Sequence, residues 1–440
     1  MVIMSSLAKK VSRNMIRAAF LGGLVSCVTY TTETSRMREA FGRGDYDLAL
    51  QELEKSGTKN RSQDRLLWHL EAGTIYDRKG DYQASRKLWF QADRIADDLF
   101  TLSISKTLSS LVVNEASTDY DGEDYEVVAI HALLAHQYIA LGQLDEARVQ
   151  ARKINTKLSE ISQKFDSEGR YRYREDAHAR YLSALIYEAR AEWDNAIVDY
   201  RKALELYEGD FSGYIVGGIP NGVITGLTRC LQMRGRTDLI KSLSTKYPQL
   251  MTVSYDRKRI SELRDQAEIV VIHELGRVAL KTANEQFLTV GEQLVRFSST
   301  IIEPNPLIDA GTGITLDQLQ FYQAENTVYF DAVAKDSLEF HRQRKTAKQI
   351  SRLLLKGEIN HQANKQLGPI GGLAMNVFNN ATETADTRSW TTLPQAFFIT
   401  RARVSPGQYS MTIKTNGQES RPQSVVVARG GIRLFRSFDR

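Results

Sequence analysis

Residues 68–92, WHLEAGTIYDRKGDYQASRKLWFQA, decide how the first half of this chain folds. Gly80-Asp81-Tyr82 breaks the apolar spacing. Gly73 and Tyr76 stand seven and four residues before that break, with Ser85 and Ala92 five and twelve after it. Two antiparallel helices joined by a tight turn approach closely only where small side chains meet. Glycine at the turn supplies the left-handed geometry that ends the first helix. An aspartate directly after it can cap the second.

The same offsets recur around Gly44-Asp45-Tyr46, Gly142-Gln143-Leu144 and Ala191-Glu192-Trp193, and a weaker helical pair is expected around Gly235. Five after each turn stand Ala49, Ala147 and Ala196; four before it stand Ala40, Tyr138 and Tyr187. Turn starts lie 36, 62 and 49 residues apart, so the array is irregular. The longest interval holds an extra helical stretch, about 94–114, and the acidic segment Asp119–Glu126. All eight prolines fall at or after Pro220, leaving a run before it free for uninterrupted helices. The pattern resembles the tetratricopeptide (TPR) repeat. Such repeats stack into a curved solenoid whose concave face usually binds peptides or partner helices.

From about residue 265 the pattern changes. Ile269–Ile272 reads as a buried strand, with Arg277–Leu280 and Gln293–Phe297 as further candidates. A basic helix is expected over Leu338–Leu355. The last 50 residues look antiparallel: Phe397–Val404, Tyr409–Lys414, Ser424–Ala428 and Ile432–Phe438, with Asn416-Gly417 and Gly430-Gly431 as turn signals. The expected fold is thus multidomain, α plus an α/β mix. An all-α TPR-like helical solenoid, 36–250, precedes a β-rich α+β domain, 265–440, with a helical insertion.

The chain's 440 residues, 42% hydrophobic and 25% charged, have a globular balance. Residues 1–26 join a basic stretch, Lys9 to Arg17, to a short apolar run ending Leu24-Val25-Ser26-Cys27, and they contain no acid. This reads as a signal peptide with a lipobox, Cys27 being the acylated residue and 27–35 a lipidated linker. An ordinary secreted protein is the plainer alternative. Without that segment 54 basic side chains face 53 acidic ones, so bulk charge gives no support for nucleic-acid binding. Cys230, in an apolar stretch, then has no disulfide partner and reads as a core residue.

Two stretches resemble a bacterial family of tetratricopeptide outer-membrane lipoproteins. One is Tyr120–Glu126 with Tyr138, Leu141-Gly142 and Glu146–Arg148; the other is Ala385–Trp390 with Leu393-Pro394 and Arg401–Gly407. The resemblance implies an outer-membrane anchor on the periplasmic side and no assigned activity. Genes of the family often lie beside activators of peptidoglycan synthases.

The acidic segment lacks the glycine and bidentate glutamate of an EF-hand and reads as a solvated loop. His131 and His136 do not share a helix face, and His178 has no local partner, so packing is favoured over zinc. No Walker loop, GxSxG or dinucleotide fingerprint occurs. Asp386, Arg388 and Trp390 form the sharpest group. They read either as a locked loop with Trp390 over the sheet edge, or as a site gripping an anion and stacking a sugar. Tyr76, Tyr138, Tyr187 and Trp193 are the candidate partner-binding residues. The expectation is a non-enzymatic lipid-anchored adaptor that binds an envelope protein, with no metal or cofactor. Peptidoglycan binding through the C-terminal domain is the alternative.

Overall fold

A computed structural model describes residues 29–105, 118–165, 173, 175–248, 265–290, 293–307, 311–340 and 385–439. The proposed signal peptide and Cys27 lie outside these residues. Residues 29–35, expected as part of a linker, are packed: Tyr30–Glu33 makes one helical turn, and buried Tyr30 donates to Glu71 at 3.3 Å.

Five helical pairs follow. They are α1 (Ser35–Gly42) with α2 (Tyr46–Lys55), α3 (Arg65–Lys79) with α4 (Tyr82–Ser105), and α5 (Asp124–Ala140) with α6 (Leu144–Phe165). Then come α7 (Ala177–Ala189) with α8 (Trp193–Glu208), and α9 (Asn221–Met233) with α10 (Thr237–Lys246). Each inter-helix turn has one residue with positive φ: Gly44, Gly80, Gly142, Ala191 and Gly235. The next residue's N–H returns to the carbonyl five positions earlier, as from Asp81 to Tyr76 (3.0 Å) and Gln143 to Tyr138 (2.9 Å). That bond satisfies a carbonyl the helix end would otherwise leave bare. Asp45 and Asp81 cap the following helices through the amides of Leu48 and Ala84. Gly73 is required by contact rather than by φ, since a Cβ there would lie 2.4 Å from Trp89. The extra helix expected over 94–114 is, as far as residue 105, a continuation of α4.

The second half is layered β structure. Strands β1 (Ala267–Leu275), β6 (Glu325–Tyr329), β7 (Ala396–Val404) and β11 (Ile432–Phe438) form a sheet ordered β11-β1-β7-β6. A second sheet is ordered β10-β8-β4-β5, from β4 (Gly313–Leu316), β5 (Gln320–Gln323), β8 (Gly407–Thr415) and β10 (Gln423–Val427). The short β9 (Gln418–Glu419) adds to β8. A hairpin, β2 (Lys281–Val290) and β3 (Gln293–Ile302), stands apart. Residues 330–340 form α11.

Three expectations change. Arg277–Leu280 is not a strand: the Val278 amide bonds to Leu393 and the Ala279 amide to Asp331, so its backbone serves other elements. The helix expected from Leu338 begins at residue 330, and its later part lies outside the described residues. The C-terminal strands are not all antiparallel. Gly430-Gly431 carries the chain between sheets, and β11 arrives parallel to β1. Strands β4, β5, β6 and β9, too short for a clear period, were not anticipated, and neither was the ten-residue β2.

Strand alternation explains how the layers meet. In β1, Ala267, Ile269 and Val271 pack with Ile314, Met411 and Ile413 of the second sheet. Val270 and Ile272 face the other way, into a hydrophobic cluster shared with α3 through α9. All nine β1 residues are buried. The sheet lies on the first helices of the pairs, α5, α7 and α9. Accordingly α5 is apolar on every side, with 13 of its 17 residues buried. The face that a solenoid's first helices would otherwise present is occupied by the chain's own β layers.

Candidate functional site

The interface between helices and sheet holds two sets of buried charge. Period-2 alternation sends Glu268 and Glu274, at opposite ends of β1, toward the helices. Each meets two arginines.

At one end Glu274 accepts from Arg436 (2.7 Å), Arg78 (2.7 Å) and His136 Nδ1 (2.8 Å). Asp77 of α3 accepts from Arg436 (2.6 Å), Arg78 (3.0 Å) and Gln137 (2.7 Å). Phe438 lies beneath the Arg78 guanidinium, 4.3 Å away. Burial raises the Glu274 carboxyl, but Arg436, Arg78 and His136 outweigh it and hold it well below the usual range. Burial lowers His136 against the pull of Glu274, and burial with repulsion from His136 lowers His178 further. His136 Nδ1 donates to Glu274, the two Nε2 atoms lie 3.3 Å apart, and His178 Nδ1 meets at 2.8 Å the Thr327 hydroxyl, which itself donates to the Phe397 carbonyl at 3.0 Å.

At the other end Arg401 bridges Glu268 (2.6 Å) and Glu188 (2.9 Å), while Arg229 reaches Glu188 (3.2 Å) and Glu268 (3.5 Å). Tyr200 donates to Glu188 at 2.5 Å and accepts from Arg401 at 2.8 Å. Two carboxylates thus balance two guanidiniums at each end. Removing one member leaves a buried charge without its counterpart, which costs far more than the intact set contributes.

The segment 385–395 forms a strap leading into β7. Arg388 grips Asp386 through Nε (2.9 Å) and NH2 (2.8 Å) and donates to the carbonyls of Gln63 and Thr118. Trp390 does not cover a sheet edge. It is fully buried, donates to Thr74 at 2.9 Å and meets Trp89 edge-on at 6.3 Å. With Trp390 enclosed and Arg388 so engaged, neither offers a face for stacking a sugar or gripping an outside anion. The acidic segment is a solvated loop only at Asp119 and Asp121, which are exposed; its end is built into the helices. Glu123 and Glu126 form a capping box for α5, and buried Glu126 accepts from the Trp390 amide (2.7 Å) and Tyr120 (2.6 Å). Burial pushes the Glu126 carboxyl up to about 7 against the pull of Lys281. Glu71 accepts from the amides and hydroxyls of both Thr391 and Thr392.

The aromatic candidates fill joints between helical pairs. Arg86 lies over Tyr138, and Arg152 of the preceding pair lies over Tyr187 and donates to its hydroxyl at 3.0 Å. Arg229 of the following pair lies over Trp193. Tyr76 is half-buried at the end of α3, and Tyr187 is buried. Tyr138, Tyr187 and Trp193 are thus engaged by arginines of neighbouring pairs.

The ion sets at both ends of β1 escaped sequence reasoning. Their signal was available: Glu268, His273 and Glu274 interrupt or flank an otherwise apolar strand, and buried charge demands a partner. His273 faces the second sheet, within hydrogen-bond reach of Thr400 (2.9 Å).

No protein-family model matches the chain, and no curated protein matches it. Among solved structures, MamA (AMB-1) covers 52% of this chain and 94% of its own, at 13% identity and a TM-score of 0.30. TPR-like repeats of a Podosopora anserina kinesin light chain cover 50% and 92–93%, at 18% identity and TM-scores of 0.30–0.31. BtubC (BKLC) from P. vanneervenii covers 57% and 90%, at 13% identity and a TM-score of 0.33. Such scores carry no functional argument. The TPR-like assignment stands on the turns and hydrogen bonds above.

Proposed function

We propose that the protein is a non-enzymatic scaffold of the bacterial envelope, held at the periplasmic face of the outer membrane by acyl chains on Cys27. Its role is to bind another envelope protein. The lipobox supports the anchor. The observation that carries the scaffold reading is the covered inner face: buried, balanced ion sets join solenoid and sheet, making a rigid body that presents its outer helices. There, on the second helices of three successive pairs, Phe90, Val149 and Val198 stand exposed at 37%, 51% and 65%. The partner therefore meets the outer face, not the groove containing Tyr138 and Tyr187.

Photo-crosslinkers placed at Val149 and Val198 in cells should capture one defined envelope protein. Recovery of only lipids and abundant porins would remove the scaffold reading. Mass spectrometry of the purified protein should find an acylated Cys27 at the amino terminus; an unmodified thiol would remove the anchor. Peptidoglycan binding through Arg388 and Trp390 gains no support from their burial.

A further inference from the structure

A cleft of about 610 Å³ opens between the first helical pair and the base of the β2–β3 hairpin. Its walls include Arg38, Phe41 and Gly42 of α1, Tyr46 of α2, Arg277 and Thr282, with Thr391 and Thr392 of the strap beneath. This volume is in the range that encloses a small molecule.

Two guanidiniums face this space without a carboxylate on either. Arg277 NH1 donates to the Arg38 carbonyl at 2.8 Å, and Arg38 NH1 donates to Thr34 at 2.9 Å. Among the described residues neither forms an ion pair, unlike the arginines at the ends of β1. The nearby Glu71 attracts Arg38 but is already held by the strap threonines and Tyr30. The two arginines repel one another. Arg78, also in the wall, is neutralised by Asp77 and Glu274. Of the two acids at the rim, Glu303 is exposed, and Asp439 is bound to the Gly276 amide at 2.7 Å.

The site is also shaped. Arg277 lies flat across α1 where a Cβ on Gly42 would come within 3.0 Å of its NH2. Beside it, Phe41 and Tyr46 meet edge-on with centroids 5.7 Å apart.

We propose that this cleft binds a small organic anion, its carboxylate or phosphate held between Arg38 and Arg277 and its apolar body against Phe41 and Tyr46. Planar guanidinium forks suit both head groups.

Titration calorimetry of the full chain at fixed ionic strength tests this with phenyl phosphate and benzoate as probes and benzyl alcohol as the neutral control. At least one anionic probe should bind saturably at one site, and the alcohol should not; which anion binds tighter identifies the head group. Arg277→Gln should weaken binding roughly tenfold or more, as loss of a charge-assisted hydrogen bond implies. Thr282→Glu, at an exposed position, should do the same by placing a carboxylate at the rim, and decides the matter if Arg277→Gln fails to fold. No saturable binding of either anion, or unchanged binding in both folded variants, overturns the proposal.

Discussion

At the residue scale, the contrast between Gly44 and Gly73 separates two reasons for glycine. Nothing lies within 4 Å of a Cβ added at Gly44, whose φ is +75°, so Gly44→Ala should cost only about 1 kcal/mol of backbone strain. A Cβ at Gly73 meets the Trp89 ring, and Gly73→Ala should cost about 1–3 kcal/mol by overpacking. Urea unfolding measures both, and equal losses would contradict the distinction. Glu274 makes a second residue-scale case. Glu274→Ala leaves Arg436 and Arg78 sharing only Asp77 in a buried site, and about 3 kcal/mol or more of stability should go. Adding Arg436→Met should restore part of that loss, because the unmatched charge leaves with it. A double variant as weak as the sum of its single ones would show that the two side chains act independently.

At the element scale, the strap is held by two buried carboxylates whose pKa values are raised. Burial lifts Glu71, and it lifts Glu126 to about 7. For Glu126 the folded chain keeps its proton to higher pH than the unfolded chain, whose carboxyl titrates near 4.5. The stability this group contributes is therefore greatest below pH 4.5, falls as pH rises through that value toward 7, and levels off above. Glu126→Gln removes this component. Urea midpoints of wild type minus variant should fall between pH 5 and pH 8, and a flat difference would show that Glu126 does not titrate there. The strap also explains Arg277–Leu280. Its amides are used by the strap and α11, so a locally strand-like sequence becomes a loop.

At the scale of the whole molecule, one hydrophobic cluster runs from Leu66 of α3 through Ile224 of α9 to Val270 and Phe397 of the sheet. Helices and sheet should therefore unfold together. Calorimetry should give one endotherm whose calorimetric and van't Hoff enthalpies agree. Two resolved transitions, one helical and one β, would mean that the shared interface contributes little to cooperativity.

The helical half was legible in the sequence because its determinants are local. A positive-φ residue, a capping aspartate and a small side chain at fixed offsets each act within one pair, and all reappear at Gly80, Asp81 and Ser85. Strands β1, β3, β7, β8, β10 and β11 were legible from apolar and alternating runs, whereas β2, at Lys281–Val290, was not. What Trp390, Glu126, Glu188 and Glu274 do was not, because each is completed by a residue tens to hundreds of positions away. Their sequence neighbours carry no trace of that partner. Local spacing determined that paired helices and strands would form. Only the tertiary structure decided that the sheet would cover the helices' inner face, since a buried charge is tolerated only where its counter-charge arrives from another element.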